Sequence, residues 1–174
     1  MIQWITRLPE LEWYPARWFD KTDAFSMPPI LLVVHSGAQF PGVAEYEHKN
    51  GGYPEPDGRF MHTCYHIAWS AVKSDFVQQV DLDHQAWHAG GSKWSVRPGV
   101  RVNTLSLSIA LPGPYQAERP AQMLDSVHHI AERLVCEIPS LKYWVRHSDI
   151  DHNKKDPGPH FQDTLFDGLL EHKA

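Results

Sequence analysis

The run Ile30-Leu31-Leu32-Val33-Val34 constrains the fold of this chain more than any other stretch. Five consecutive apolar residues, mostly β-formers, do not alternate as a strand with one wet face would. They read as a strand covered on both sides, the centre of a parallel or mixed sheet. Such a sheet needs helices against its faces. The run ends in the polar tip His35-Ser36-Gly37. Sites in open α/β sheets gather at strand ends, so His35 becomes a candidate site residue.

A second polar tip lies far downstream. Tyr143-Trp144-Val145 reads as the end of another buried strand, and His147 stands where it should run out into a polar loop. Nine residues later Asp156 precedes Pro157, which favours an extended backbone and restricts the carboxylate's direction. Pro157-Gly158-Pro159 then makes a rigid turn. A strand-end histidine before a polar loop is more often structural than a ligand. Here, however, two strand-end histidines and one carboxylate are available together. That set leaves a fourth tetrahedral position open, the coordination of a catalytic rather than a structural zinc.

At 174 residues the chain is long enough for one domain with its own core. Its 42% apolar content excludes general disorder. No run reaches the length of a membrane span. Residues 1–10 lack the features of a secretory signal, so synthesis in the cytoplasm is expected. Cys64 and Cys136 are too few for a disulfide framework. The net charge is −5 and no basic stripe with interleaved aromatics occurs, which argues against nucleic acid as a partner. Twelve histidines make chance pairs inevitable. His128-His129 is one, since adjacent helical residues point about 100° apart.

Along the chain, residues 1–29 form an aromatic-rich arm and residues 30–174 the main domain. A short helix is expected over 42–49. A Gly- and Pro-rich loop over 50–58 is a candidate substrate contact. Residues 65–72 and 76–80 read as a hairpin turning at 73–75. Residues 105–111 form a third strong strand. Residues 120–138 form a helix with Pro120 in its first turn and a core stripe through Met123, Val127, Ile130 and Leu134. Residues 143–146 form a strand, and 161–170 a short final helix. The fold class is α/β: one domain with a mixed central β-sheet flanked by helices.

Several fragments now combine. Val33-Val34-His35-Ser36, Cys64-Tyr65-His66-Ile67, Ala86-Trp87-His88-Ala89-Gly90, residues 103–109, and His147-Ser148-Asp149-Ile150 with Lys154-Lys155-Asp156-Pro157-Gly158-Pro159 occur in this order. Together they resemble the zinc-dependent N-acetylmuramoyl-L-alanine amidases of the amidase-2 and peptidoglycan-recognition-protein superfamily. The resemblance spans roughly residues 30–160 and implies the same fold. It implies Zn²⁺ held by His35, His147 and Asp156, and hydrolysis of the amide between N-acetylmuramic acid and L-alanine. It implies Lys154 as the cation facing the developing oxyanion. Trp87, His88, Ala89 and Gly90 would wall the substrate groove.

One position departs from the pattern. Many bacterial members carry a glutamate base on the third strand, where this chain has Ala110. Members without that glutamate carry a tyrosine before the histidine of the preceding strand, which Tyr65-His66 matches. Tyr65 is therefore placed in the site, and His66 is read as structural. The leading expectation is a monomeric endolysin-type enzyme, acting on the wall after release. The alternatives are a cytoplasmic amidase recycling anhydro-muropeptides and a non-catalytic muropeptide-binding module. The partner in each case is peptidoglycan or a muropeptide.

Overall fold

The computed structural model describes residues 5–37, 42–50, 52–54, 60–62, 64–114 and 118–174. Its strands are β1 (Glu12–Trp13), β2 (Leu31–Ser36), β3 (Gly52–Pro54), β4 (Phe60–His62), β5 (Ile67–Ser70), β6 (Asp75–Gln78), β7 (Ser106–Leu111), β8 (Tyr143–Arg146) and β9 (Glu171–His172). The helices are α1 (Val43–Lys49), α2 (Ala121–Glu137) and the single turn α3 (His147–Ile150). Seven strands form one sheet in the order β1-β6-β5-β7-β2-β8-β9. Only β5 and β6 run antiparallel within it, so the sheet is mixed as expected. No helix among the described residues is long and apolar enough to cross a membrane.

β2 lies between β7 and β8, and all six of its residues are buried. Side chains alternate across a strand, which sorts the strands into two faces. Leu32 and Val34 of β2, Leu107 and Ile109 of β7 and Trp144 of β8 face α2. There they meet Met123, Val127, Ile130 and Leu134, the predicted helix stripe. Leu31, Val33 and Val145 face the other way, against Trp94, Val102 and Ile150. On that same side Val43 and Ala44 of α1 cover Ala68, Val77 and Ala110. Gly37 leaves room for α1, because a Cβ there would collide with Val43.

Three local expectations are adjusted. Residues 65–72 and 76–80 do form a hairpin, but its paired strands are shorter, Ile67–Ser70 with Asp75–Gln78. Ser74 in its turn has φ 53°, a left-handed conformation that favours glycine. The loop read over 50–58 contains β3, which pairs with β4 just beyond it. Residues 51 and 55–59, and with them most of the candidate substrate loop, lie outside the described residues. The final helix over 161–170 does not form. A 3₁₀ turn at Asp163–Phe166 is followed by Gly168 at φ 80°, and the chain then adds β9 to the sheet edge. So short a segment cannot sustain a helix by itself, and Phe161, Phe166 and Leu170 are buried without one.

Residues 5–29 pack onto the domain. β1 extends the sheet edge beside β6, and Leu8 enters the core under α2. Trp13 stacks edge-on against Phe19, and the Arg7 guanidinium lies over the Trp13 ring at 3.6 Å.

Candidate metal centre

The register of β2 against β8 builds the centre. Val33 pairs with Val145 and Val34 with Arg146. One residue further, His35 and His147 stand side by side, both on the face away from α2. Their ring centroids are 4.4 Å apart. His147 does not enter a loop, as the sequence led us to expect, but opens α3. The Arg146 N–H donates to Asp149 Oδ2 at 2.7 Å, which caps that turn. The Ser148 N–H then donates to the Asp156 carbonyl at 3.0 Å, folding the following loop back onto the sheet end.

This closure brings Asp156 to the histidine pair. Its Oδ2 lies 3.3 Å from His35 Nδ1 and 3.1 Å from His147 Nδ1. The Ser36 N–H donates to the same oxygen at 3.3 Å. These separations match a tetrahedral zinc site. Ligand atoms about 2.0–2.1 Å from a shared ion stand roughly 3.3 Å apart. His35 Nδ1 is buried and makes no hydrogen bond among the described residues. A buried lone pair with no donor is costly unless a cation takes it. The donor set of two imidazoles and one carboxylate therefore fits zinc. A second group, Asp81, Asp83 and His84, is also compact enough for an ion. Its members are partly exposed, Asp81 already pairs with Arg7, and His84 pairs with Asp83.

Electrostatics prepare His35 and Asp156. Burial, followed by the charge of His147, lowers the His35 pKa from 6.5 to about 4 against the opposing pull of Asp156. His35 is thus an uncharged base at neutral pH. Burial pushes the Asp156 carboxyl upward, but its contacts with His147 and His35 outweigh this and hold it below the usual carboxylate range.

The other predicted site residues fall into two groups. Lys154 is exposed, and its charge is among those acting on His35. The half-buried Tyr65 ring lies 5.1 Å from the His35 ring. Trp87 is half-buried beside Ala16, Cys64 and Val80, and Gly90 is exposed. His88 and Ala89 instead lie beneath the surface. His88 is 6% exposed and packs against His35, while the Ala89 N–H donates to Asn103 Oδ1 at 2.9 Å. Ala110 pairs with His35 in register and is fully buried, so no proton acceptor stands at that seat. His66 is held by Ser108 and by the His84 carbonyl, which accepts from its Nε2 at 2.8 Å.

The sequence reading did not single out Ser92 or Ser106. Ser92 Oγ lies 3.3 Å from His147 Nε2, and Ser106 Oγ lies 3.1 Å from His88 Nε2. The signal was present for Ser106. Ser106, Ser108 and Ala110 alternate with Leu107, Ile109 and Leu111, and serines on one face of a buried strand must find polar partners. A cleft of about 440 Å³ opens between residues 91–93 and residues 149–153, where α3 ends and the following loop begins.

Cysteine chemistry does not compete with this centre. Burial pushes the Cys64 thiol up to about 12, and Cys136 lies exposed on α2, which packs on the opposite face of the sheet.

Several buried rings make the metal-free protein acid-sensitive. The His66 pKa is lowered to about 4 by burial, and that of His88 well below 6.5 by burial and then by the neighbouring imidazoles. The unfolded chain protonates these rings near 6.5, whereas the native state resists. Unfolding therefore takes up protons, and stability present above pH 6.5 is lost as pH falls toward 4. Thermal unfolding of chelator-treated protein should show Tm falling through this window. A flat Tm would contradict the neutral state of these rings.

Comparisons with known proteins identify the family. The family model described as N-acetylmuramoyl-L-alanine amidase, Amidase_2, matches residues 25–159. The 1,6-anhydro-N-acetylmuramyl-L-alanine amidase AmpD of Enterobacter cloacae is 31% identical over 153 residues, covering 82% of this chain and 81% of the relative. A solved AmpD derivative has a TM-score of 0.76 at 24% identity, covering 98% of this chain and 99% of that one. The N-acetylmuramoyl-L-alanine amidase LysC from Clostridium intestinale has a TM-score of 0.66 at 17% identity, covering 93% of this chain and 98% of its own. Those two structural likenesses speak for the fold. With the family match spanning most of the chain and its motif residues gathered at one end of the sheet, the chain belongs to the amidase-2 family of N-acetylmuramoyl-L-alanine amidases.

Proposed function

We propose that this chain is a zinc amidase that releases the stem peptide from soluble anhydro-muropeptides. The observation that carries the choice of substrate is the 31% identity to AmpD, an anhydro-muropeptide amidase, over 82% of the chain. The endolysin reading has a weaker support: the likeness to the endolysin amidase LysCS from Clostridium intestinale, at 17% identity, carries the fold and not the substrate.

His35, His147 and Asp156 would hold the ion. Zinc supplies activation of water and polarisation of the scissile carbonyl. The residues of the chain do the rest. Lys154 presents an ammonium where negative charge builds on the carbonyl oxygen. Tyr65 offers a hydroxyl-bearing ring beside His35, at the edge of the seat that Ala110 leaves without a base. Trp87 and Gly90 border the groove.

The test is a digest followed by mass spectrometry, with anhydro-muropeptides and intact sacculi supplied in parallel. Free stem peptide should appear readily from the soluble substrate and sparsely from sacculi. Equal or faster release from sacculi would favour the endolysin reading. New reducing ends without new alanine amino termini would overturn amide cleavage.

A further inference from the structure

We propose that His88 and Ser106 form a hydrogen-bond relay that fixes the ring tautomer of His35, leaving its Nδ1 bare for the metal. His88 is thereby a positioning residue rather than part of the substrate wall. The inference rests on His35 being a metal ligand, as in the function proposed above.

The direction of the relay follows from its far end. The Val102 carbonyl can only accept, and Ser106 Oγ stands 2.7 Å from it. Ser106 has one hydroxyl hydrogen and donates it there. Toward His88 Nε2, at 3.1 Å, Ser106 Oγ must then accept, so His88 carries its proton on Nε2. A neutral imidazole has one donor and one acceptor nitrogen. His88 Nδ1 is therefore an acceptor, and it lies 2.9 Å from His35 Nε2. His35 must supply the proton from Nε2, which leaves Nδ1 as a free lone pair. That nitrogen faces Asp156 and His147 and lacks a hydrogen-bond partner among the described residues.

Neutrality is the one condition. Full burial of His35 and near-full burial of His88, with two further imidazoles close by, disfavours a charge on either ring. The chain of bonds contains no other freedom, because reversing any link would leave two hydrogens or two lone pairs facing each other. His147 differs. Its Nε2 meets Ser92 Oγ, a hydroxyl that can either donate or accept. The tautomer-setting device therefore belongs to His35, and β7 supplies it from four residues below Ala110.

Ring nitrogens of the ¹⁵N-labelled, metal-free full chain can be read directly by long-range proton–nitrogen correlation. The His35 signals, identified by their loss in His35→Gln, should be those of the Nε2–H form. Ser106→Thr and Ser106→Val add nearly the same bulk and differ in the hydroxyl. Ser106→Thr should keep the wild-type tautomer and zinc affinity. Ser106→Val should mix the tautomers and weaken zinc by about 10–100-fold in a chelator competition with zinc alone. His88→Ala should weaken zinc similarly.

His35 found as the Nδ1–H form in the wild type would overturn the relay. So would equal zinc affinities for Ser106→Thr and Ser106→Val, since bulk alone would then explain both. Wild-type protein that binds no zinc would overturn the metal reading and the relay together. Failure of the amidase reading alone would appear differently, as zinc binding with the expected tautomer but no stem-peptide release.

Discussion

Asp156→Ala should leave a folded protein that no longer holds stoichiometric zinc. Its amidase activity should fall by more than the roughly 10–100-fold that loss of an outer partner costs. Asp156 Oδ2 is the point on which the centre converges, within 3.3 Å of His35 Nδ1, His147 Nδ1 and the Ser36 N–H. Without it two imidazoles remain, with no anionic oxygen to balance a divalent cation. The fold should survive, because the loop is tied by the Asp156 carbonyl, which accepts from Ser148 and which alanine retains. Metal analysis and circular dichroism on the same sample check both halves. Near-stoichiometric zinc in the variant would remove Asp156 from the ligand set. Zinc lost together with the fold would make the residue structural first.

The centre was legible in the sequence because it is a consequence of strand register. Ile30-Leu31-Leu32-Val33-Val34 could only be a doubly covered strand, and Tyr143-Trp144-Val145 behaves likewise. The parity that buries Val33 and Val145 on one face carries His35 and His147 to that face as well. The α2 stripe was equally plain, since a long helix with one apolar face has few other ways to pack. The chain end was not. The apolar spacing of Phe161, Leu165, Phe166 and Leu169 satisfies a helix, but the same residues are buried by a 3₁₀ turn and an edge strand. Local periodicity cannot register the free edge of β8 that recruits Glu171 and His172.

The supporting shell was hidden for a different reason. His88 lies in a loop whose motif directs attention to the substrate, and nothing in the spacing reveals that its ring points inward. Its role depends on Ser106, 18 residues away, and on a carbonyl at Val102. Partners of this kind are fixed by tertiary contact, and only the unusual alternation of serines on a buried strand hinted at them. Ala110 shows the converse. The sequence alone reveals the missing carboxylate, while the structure adds that Val43 and Ala44 pack against the vacant seat.

With no carboxylate at Ala110 to take a proton, the chain's own part in catalysis rests on groups that meet the negative charge developing on the carbonyl oxygen, and the proposal gives that part to Lys154. Its charge acts on His35, although the side chain itself is exposed. The Lys154 N–H donates to the Asp151 carbonyl at 2.9 Å, so the residue leaves a defined turn two positions before Asp156. Removing one oxyanion donor costs about 10²–10³ in kcat. Lys154→Ala should lose activity on that order while keeping its zinc and its Tm, since an exposed lysine carries little packing. Lys155→Ala, one position along, should stay near the wild type. Tyr65→Phe should fall between them, because it removes a hydroxyl and retains the ring beside His35. Steady-state kinetics on zinc-loaded variants with anhydro-muropeptide separates these outcomes. Near-normal turnover in Lys154→Ala would show that the oxyanion is stabilised elsewhere. Damage confined to Lys155→Ala would mean that the turn presents the neighbouring ammonium instead. If neither lysine mattered and the wild type itself released no peptide, the chain would bind muropeptides without cutting them.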